Sequence, residues 1–512
     1  MAKTCKYAKL QRYVSYDSGV TWEAMDEYMM GDLIESQSQS CMECEPIYEW
    51  RLVADDYICS GTTKYTKLQE YISNDCGNTY SAVTPANYRI GSVIEIGSDD
   101  CPPQYRWTAT TDTICVYFDN YKYKFTLSDS SVVSRQCDTT SAITTADTSA
   151  YRNTLVEAVI GDCVTRIGSS RDINDGGFLR CSGLTRCTIG SGVTEIGLNA
   201  FYRCTSLSSV TIPDSVTSIG EDAFGACSSL TSIAIPNSVT SIGDAAFEYC
   251  TSLSSIVVPS GVTSIGEFAF QRCSGLTTCT IGNGVTSIGV GAFSGCTSLT
   301  SIDVPNSVTS IGGSAFRNCS ELTNINILDS VTSIGSSAFT NCTSISSINL
   351  GSGVTSIGDY AFYQCSGLTS IDIPNSVTSI GEFAFNGFSG LTSCTIGSGV
   401  TSITQYVFQN CRSLTSIDIP NTVTSIGQCA FEYCTSLSSV TIPSGVTVIA
   451  YHGFYNCSSL NSITVEATTP PRLESYVFNG TSCPIYVPSE SVNTYKTDRY
   501  WSTYADRIQA IQ

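Results

Sequence analysis

Thirteen phenylalanines lie 23 residues apart along the chain, and the spacing never changes. They are Phe178, Phe201, Phe224, Phe247, Phe270, Phe293, Phe316, Phe339, Phe362, Phe385, Phe408, Phe431 and Phe454. A fixed period of about 20 to 50 residues indicates a solenoid, in which each unit is one turn that buries its apolar face only against neighbouring turns. The spacing therefore predicts a long repetitive surface in place of a single catalytic cleft.

The unit that begins at Phe362 predicts two short strands in each turn. Ile371 and Ile373 alternate with polar residues, and this period of two indicates a strand with one buried face. A Pro-Asn-Ser turn leads to a second extended piece at 377–380, and Gly381 is expected to adopt a positive φ. The segment that leads to the next Phe is too short for a stable free helix, so we expect a single helical turn there.

The whole unit, A-F-x-x-C-x-x-L-x-x-I-x-I-P-x-x-V-x-x-I-G, resembles the BspA-like leucine-rich repeat family. The resemblance covers residues 155–465, and residues 466–512 resemble the closing cap of such proteins from Bacteroides-type bacteria. It implies an all-β repeat fold, a leucine-rich-repeat-type solenoid of 23-residue turns with short strands and single helical turns. It also implies a surface protein that takes part in adhesion and in binding to host molecules, with no catalytic residues to carry over.

Twelve cysteines occupy the third position after the repeat Phe, so the solenoid core could carry chemistry. One interpretation is an array of disulfides or metal ions, and the other is a column of small apolar residues. Packing is favoured because Phe388 replaces the cysteine in one turn and because Cys187, Cys279 and Cys394 replace Ile in others. A zinc array would need clustered ligands, usually with His, whereas His452 is the only histidine and is expected to be a solvated turn residue in preference to a pH-sensitive group.

Composition argues against several classes of function. The chain has 45 acidic and 25 basic residues and a net charge of −20, which disfavours nucleic acids and anionic membranes as partners. It has no run of 18 apolar residues, so we expect no membrane insertion. Phosphate-binding glycine loops and recognisable catalytic groups are missing from the sequence, so we expect no cofactor, no metal and no enzyme activity.

The sequence before residue 140 follows a different repeat, a tandem duplication. KYAKLQRYVS at 6–15 matches KYTKLQEYIS at 64–73. Both copies are rich in aromatic and β-branched residues, which predicts two small β modules at 1–60 and 61–120. A linker or lead-in is expected at 121–154.

Each module contains an S-x-D-x-G-x-T-aromatic string that resembles the Asp-box, a structural hairpin motif of sialidase-type propellers and other β proteins. Its Asp caps the turn, its Gly supplies a positive φ and its aromatic residue anchors the hairpin. The residues concerned are Ser15, Asp17, Gly19, Thr21, Trp22, Ser73, Asp75, Gly77, Thr79 and Tyr80. Two copies cannot build a propeller, so a glycosidase is the least favoured function.

The two modules also share a pattern of cysteines. Cys41 aligns with Cys101, and Cys59 aligns with Cys115. A pair that recurs in both copies indicates one contact in each module, Cys41 with Cys59 and Cys101 with Cys115. Disulfides would stabilise small modules that lack a large core, and reduced buried pairs fit the pattern equally well.

The repeats vary most at the two positions before Ala-Phe and at the two positions after Phe, where aromatic residues are frequent. We call these positions the aromatic stripe and predict that they form a binding surface, because exposed aromatic residues anchor protein and glycan interfaces. The main candidates are Tyr202, Tyr249, Phe268, Arg272, Tyr360, Tyr363, Phe383, Tyr406, Tyr433 and Tyr451. The alternatives are a tolerant solvated edge without a partner, or binding through the strand face that carries Asp303, Asp372 and Asp418.

These features together predict a non-enzymatic recognition or adhesion protein that acts outside a cell. The duplicated modules, and a start at Met1 without an apolar secretory signal, favour a tail or fibre component of a phage of a Bacteroides-type host. Its partners would be a host-surface protein or glycan and, through the N-terminal modules, other virion proteins. A bacterial or protozoan cell-surface adhesin is the nearest alternative, and a structural spacer is another.

Overall fold

The computed structural model contains two compact units, Met1–Tyr121 and Lys122–Gln512. It describes seven strands of the first unit and, from Tyr121 onward, every residue except 138–140 and 170. The seven strands are Cys5–Lys6, Leu10–Val14, Glu23–Met29, Ile47–Ser60, Thr63–Ser73, Ser81–Ala82 and Tyr88–Ile96. Apart from Ser73 and Cys59, which lie within strands, the Asp-box residues and the cysteines predicted to pair fall outside the described residues.

The first unit contains a sheet that joins the two copies of the duplicated sequence. Thr63–Ser73 pairs antiparallel with Ile47–Ser60 and also with Tyr88–Ile96. Ser60 lies opposite Thr63 in the first of these pairings. The predicted boundary between two modules at residues 60 and 61 therefore falls inside one sheet.

The predicted linker or lead-in at 121–154 is a folded front cap. Residues 121–154 contain the strands Tyr121–Leu127, Val132–Gln136 and Ala142–Ile143, the helix Thr145–Thr148 and the 3-10 turn Ser149–Tyr151. The next two strands, Leu155–Ile160 and Arg166–Ile167, complete the cap. Phe125 is buried against Phe178 and so begins the phenylalanine column. Lys122 and Arg135 both pair with the buried Asp147 carboxylate at 3.0 Å. A disulfide joins Cys137 to Cys163.

The solenoid presents two rows of short parallel strands, and residues 23 apart lie side by side, as Ile302 and Ile325 do. The first row consists of Arg186–Thr188, Ser209–Thr211, Ser255–Val258, Thr278–Ile281, Ser301–Asp303, Asn324–Ile327, Ser347–Leu350, Ser370–Ile373, Ser393–Ile396, Ser416–Asp418, Ser439–Ile442, Ser462–Val465, Ile485–Val487 and Ile508–Ala510. The second row continues from Arg166–Ile167 through Glu195–Ile196, Ser218–Ile219, Ser241–Ile242, Ser264–Ile265, Ser287–Ile288, Ser310–Ile311, Ser333–Ile334, Ser356–Ile357, Ser379–Ile380, Ser402–Ile403, Ser425–Ile426, Val448–Ile449 and Arg472–Leu473. The predicted class, an all-β repeat solenoid with a 23-residue period, is confirmed.

The segment around each repeat Phe forms the third side of the solenoid, beside the two strand rows. It is not the single helical turn that the sequence predicts. Phe316 N–H donates to Ala338 O at 2.8 Å, and Asn318 N–H donates to Thr340 O at 2.8 Å, so these amides bind the following turn. Ser314 and Asn318 have φ of 56° and 60°, and the equivalent residues of most other turns are also left-handed. The segment is thus a pair of tight turns, because alternate amides bind the neighbouring turn while the others, such as Arg317 N–H to Ser314 O at 3.0 Å, close local turns.

The prediction of a positive φ for Gly381 is wrong. The left-handed positions lie two residues after this glycine and two residues after each repeat Phe. A Cβ on Gly381 would lie 2.3 Å from Asp359 N, so glycine is needed there for close approach to the preceding turn. Thr404 and Ala450 occupy the equivalent position in other turns, which shows that the spacing can relax locally.

The repeat phenylalanines form one continuous stack inside the solenoid. From Phe178 to Phe478, consecutive ring centroids are 5.0–5.8 Å apart and the ring planes agree within 15°. Each turn thereby covers the apolar face of the next, which is how a unit too small to fold alone becomes stable.

The cysteine column packs in the core as free thiols, as predicted. From Cys204 to Cys457, each thiol of the column donates to the carbonyl oxygen of the Phe in the preceding turn, with Sγ–O distances of 3.0–3.3 Å. Cysteine therefore combines a small apolar volume with a weak donor for a buried carbonyl. Burial raises the pKa of these thiols, to about 12 at Cys250, so they are poor nucleophiles.

The C-terminal cap covers the last turn with aromatic side chains. It contains the 3-10 turn Ser489–Ser491, the helix Val492–Thr497, the 3-10 segment Ser502–Arg507 and the strand Ile508–Ala510. Trp501 and Ile508 are buried, and the indole N–H of Trp501 donates to Pro471 O at 2.7 Å. Among the described residues, no helix has both the length and the apolar character that crossing a membrane requires.

Candidate recognition surface

The aromatic stripe follows the third side of the solenoid, where the tight turns project their side chains outward. All ten candidates are at least partly accessible along this side. The exposed ones are Tyr249, Phe268, Arg272, Tyr360, Tyr433 and Tyr451, and the half-buried ones are Tyr202, Tyr363, Phe383 and Tyr406. The structure divides them into separate groups, because Gly291, Ser314 and Ser337 interrupt the column of large side chains.

The central group is a short stack of three rings. Tyr360, Phe383 and Tyr406 occupy the same left-handed position in successive turns, with φ of 56–60°. Their ring centroids are 4.6 Å and 4.3 Å apart, and their planes agree within 8°. Tyr363 meets Tyr360 edge to face at 5.6 Å. The repeat thus aligns side chains 23 residues apart into one platform.

This stacking determines which parts of the three rings are exposed to solvent. Phe383 has a ring against each face, so its faces are covered and its edge is exposed. The Tyr406 hydroxyl accepts a hydrogen bond from Gln428 Nε2 at 2.6 Å, which fixes the end of the stack. A partner would therefore meet ring edges and phenol groups along the column.

The group nearer the front cap combines an aromatic residue with arginine. The Arg272 guanidinium lies 5.2 Å from the Tyr249 ring centroid, and Phe268 covers Gly291 of the following turn. The Tyr202 ring is near Arg203 in the same way, at 5.3 Å. These cation–π contacts hold the exposed rings in place.

His452 is not the solvated turn residue that the sequence suggested. Its Nδ1 lies 2.9 Å from Glu432 Oε1, and 16% of its side chain is exposed. The ring lies between Tyr451 and Tyr455, with centroid distances of 3.8 Å and 4.1 Å, and Tyr476 meets it edge to face. No sequence pattern predicts the contact between His452 and Glu432, because the tight turn brings residues 20 apart together, whereas the repeat indicates only neighbours 23 apart.

A polar ladder runs beside this group, and sequence reasoning missed it. Asn386 Nδ2 donates to Gln409 Oε1 at 2.7 Å, and Gln409 Nε2 donates to Glu432 Oε2 at 2.5 Å. Glu432 then reaches His452. Asn386, Gln409 and Glu432 follow the repeat Phe directly in successive turns, so their spacing of 23 was the available signal.

Cys429 lies outside the core columns, in the same stripe position as Tyr406 and His452. Its Sγ, a Glu432 carboxylate oxygen and a His452 ring nitrogen lie within 4.8 Å of one another. Burial, followed by the hydrogen bond and charge of Glu432, raises the pKa of the Cys429 thiol to about 12. These three side chains are the set of potential metal ligands that the described part of the chain brings together.

A cleft of about 680 Å³ opens where the stripe meets the C-terminal cap. Its lining includes Tyr451, Arg472, Tyr476, Arg499 and Tyr500. Arg499 lies over the Tyr500 ring at 4.3 Å, and Arg472 approaches Glu474 at 3.7 Å. The cap brings these residues to the stripe from segments outside the regular repeat, so the 23-residue period could not place them.

The alternative strand face has fewer free polar groups. Along the column that directly precedes the strands of this face, threonine and serine hydroxyls donate to carbonyl oxygens of the preceding turn, as Thr277 does to Ser254 O at 2.9 Å. Asn349 likewise donates to Asn326 at 3.1 Å. Asp372 and its equivalents remain exposed. Because many of its hydroxyls already have partners within the solenoid, this side is a weaker candidate than the stripe.

Comparison with known proteins gives one family and several similar structures. The chain matches the sequence profile of the BspA type leucine rich repeat region over 171–300, 286–414 and 401–508. A solved leucine-rich repeat protein from Bacteroides ovatus is 29% identical, with a TM-score of 0.59, and the match covers 77% of this chain and 99% of that chain. A leucine rich cell surface protein from Faecalibacterium prausnitzii is 36% identical over 59% of this chain and 83% of its own, with a TM-score of 0.39. A comparison with curated proteins gives no significant match.

Proposed function

The chain belongs to the BspA-type leucine-rich repeat family, and from that premise we propose that it is a non-enzymatic recognition protein that binds a protein partner outside a cell. The observation that carries the proposal is the stack of Tyr360, Phe383 and Tyr406. The preceding turns carry only small side chains, Gly291, Ser314 and Ser337, at the same position. Rigid aromatic side chains provide large contact areas at low entropic cost, and they are frequent among the residues that dominate binding energy.

The geometry of the stack favours a protein over a glycan. Sugars contact aromatic residues through open ring faces, whereas the faces of Phe383 are both covered. Ring edges and tyrosine hydroxyls suit the apolar side chains and backbone groups of a protein surface. Glycan binding is the second candidate, and the observation that supports it is the cleft lined by Tyr476, Arg499 and Tyr500.

Two observations support a location outside the cell. Members of the family are surface proteins, and the Cys137–Cys163 disulfide is a type of bond that persists in oxidising surroundings. Both support a cell-surface adhesin as the finer assignment. Assignment to a phage tail or fibre is a hypothesis from sequence features such as the duplicated N-terminal modules, and its virion partners would bind through that part of the chain.

The partner can be sought by screening the full chain against recombinant extracellular domains of host proteins and against a glycan array. For the best binder, the double substitution Tyr360→Ala and Phe383→Ala is expected to weaken binding at least about 30-fold, since a dominant aromatic contact contributes about 2 kcal/mol or more. Surface plasmon resonance measures the dissociation constant. Unchanged far-UV circular dichroism would show that the solenoid is intact.

Asp372→Ala is the matched control, because Asp372 lies in the turn that begins at Phe362 but on the strand face. It should leave the dissociation constant within about threefold of the unsubstituted protein. Loss of binding in Asp372→Ala, with none in the double variant, would move the binding surface to the strand face. Full binding by both variants would contradict both central surfaces as the binding site.

A further inference from the structure

We propose that Cys429, Glu432 and His452 form a zinc site at the C-terminal end of the aromatic stripe, with three protein ligands and one open coordination position. The inference is independent of the proposed partner binding. It arises from residues that break the repeat. His452 is the only histidine of the chain, and Cys429 lies outside the core columns. Both occupy the same left-handed position in successive turns.

The donor atoms are already close to the separation that zinc requires. One ligand atom from each residue lies within 4.8 Å of the other two, and His452 Nδ1 lies 2.9 Å from Glu432 Oε1. With bonds of about 2.3 Å to sulfur and about 2.0–2.1 Å to nitrogen and oxygen, tetrahedral ligand atoms lie ~3.2–3.8 Å apart. Shifts of roughly 1 Å, within reach of side-chain rotation, would create this geometry.

The backbone that carries the three ligands is fixed by the solenoid. Cys429 N–H donates to Tyr451 O at 2.9 Å, and Glu432 N–H donates to Cys429 O at 3.2 Å. The backbone of Cys429 and His452 has φ of 53° and 60°. Ligands on such a rigid frame lose little conformational entropy when a metal binds.

Neighbouring groups orient the ligands in the manner of a metal site. Gln409 Nε2 donates to Glu432 Oε2 at 2.5 Å, which leaves Oε1 directed towards His452. Tyr451 and Tyr455 hold the imidazole between their rings. Such outer contacts fix ligand orientation and strengthen metal binding.

The chemistry of the ligand set favours zinc. A thiolate, an imidazole and a carboxylate are the three ligand types that Zn²⁺ binds, and a hard cation such as Ca²⁺ or Mg²⁺ would take oxygen ligands only. The Cys429 side chain faces the Glu432 carboxylate, whereas the thiols of the core column donate to backbone carbonyls. On binding, zinc replaces the thiol proton, which leaves to solvent, and the partly exposed His452 provides the access route.

The test is zinc binding by the full chain, freed of metal with a chelator and kept reduced. Isothermal titration calorimetry with Zn²⁺ gives stoichiometry and affinity. Cys429→Ser and His452→Gln are each expected to remove one zinc equivalent per chain or to weaken that equivalent at least about tenfold. Glu432→Gln should weaken it as well, because the amide is a poorer ligand.

Glu248→Gln is the matched control. Glu248 follows its repeat Phe as Glu432 does, but Ala245 and Phe268 occupy the positions of Cys429 and His452. This variant should bind zinc as the unsubstituted protein does. Comparing the variants also distinguishes zinc bound at this site from any metal bound by the cysteines before residue 121.

A second measurement uses Co²⁺, whose absorption reports thiolate ligation and tetrahedral geometry. The unsubstituted protein is expected to show a thiolate charge-transfer band whose intensity falls by one equivalent in Cys429→Ser. Zinc should also raise the melting temperature of the unsubstituted protein and not that of His452→Gln. A chain that binds no zinc would overturn the proposal, and so would zinc stoichiometry and affinity that stay unchanged in both Cys429→Ser and His452→Gln.

Discussion

Replacing Phe316 with alanine is expected to lower the free energy of unfolding of the solenoid by about 3–5 kcal/mol. Phe316 is fully buried, and its ring lies 5.4 Å and 5.3 Å from those of Phe293 and Phe339. The substitution removes both contacts and leaves a cavity that the stacked turns cannot close without shifting a whole row of strands.

Because each turn contacts only its neighbours, this cavity also weakens the coupling between the two halves of the solenoid. Urea unfolding followed by circular dichroism should show a lower midpoint and a broader or two-step transition. Phe268→Ala is the control, since Phe268 belongs to the exposed stripe and its loss should change stability by about 0.5 kcal/mol or less. Equal losses in the two variants would mean that the repeat phenylalanines are not a shared core.

Replacing Trp501 with alanine is expected to cost a similar amount, about 3–5 kcal/mol, in the C-terminal turns. Trp501 is fully buried against Tyr495 and Phe478, and its indole N–H donates to Pro471 O. Without this cover, the last strands present unpaired edges that can pair with other chains.

Thermal unfolding should therefore begin at a lower temperature, and light scattering after size-exclusion chromatography should detect oligomers. Arg499→Ala is the control, because Arg499 is exposed and lies two residues away in the same cap. It should remain monodisperse to the same extent as the unsubstituted protein. Retention of full stability by Trp501→Ala would show that the cap does not protect the end of the column.

The 23-residue period was sufficient to predict which residues lie above one another. It placed the phenylalanine column, the cysteine column and both strand rows, because all of these join residues at the same position of successive turns. The C-terminal cap residues Trp501 and Ile508 were also predictable, since an open stack must end in apolar cover.

Contacts at other separations were not predictable from the period. Glu432 and His452 are 20 residues apart and meet only because the third side folds as two tight turns with left-handed residues. The residue types at these positions have no preference that predicts a left-handed backbone. The same turns explain why the expected helical turn and the expected positive φ of Gly381 were wrong. In the front cap, Cys137 and Cys163 belong to segments without a repeat, so their disulfide left no pattern in the sequence.

The aromatic stripe likewise has features that the sequence predicts and features that it does not. Its positions were predicted from variability, but its separation into groups depends on where Gly291 and Ser314 replace a large side chain. The cleft beside Tyr476 depends on how the cap folds back on the last turns. Local sequence therefore indicates where the candidate residues lie, while the turn geometry determines which of them lie together.

The central claim, one unbroken column of 23-residue turns, is tested most directly by distances along the first strand row. Ser255, Ser370 and Ser439 are exposed and occupy the same position in their turns. Pulsed electron paramagnetic resonance can measure pairs of spin labels there, attached through ketone-bearing residues because the chain has 26 cysteines. At about 4.8 Å per turn, the account predicts about 24 Å from 255 to 370 and about 38 Å from 255 to 439. Distances that do not increase with the number of intervening turns would contradict it.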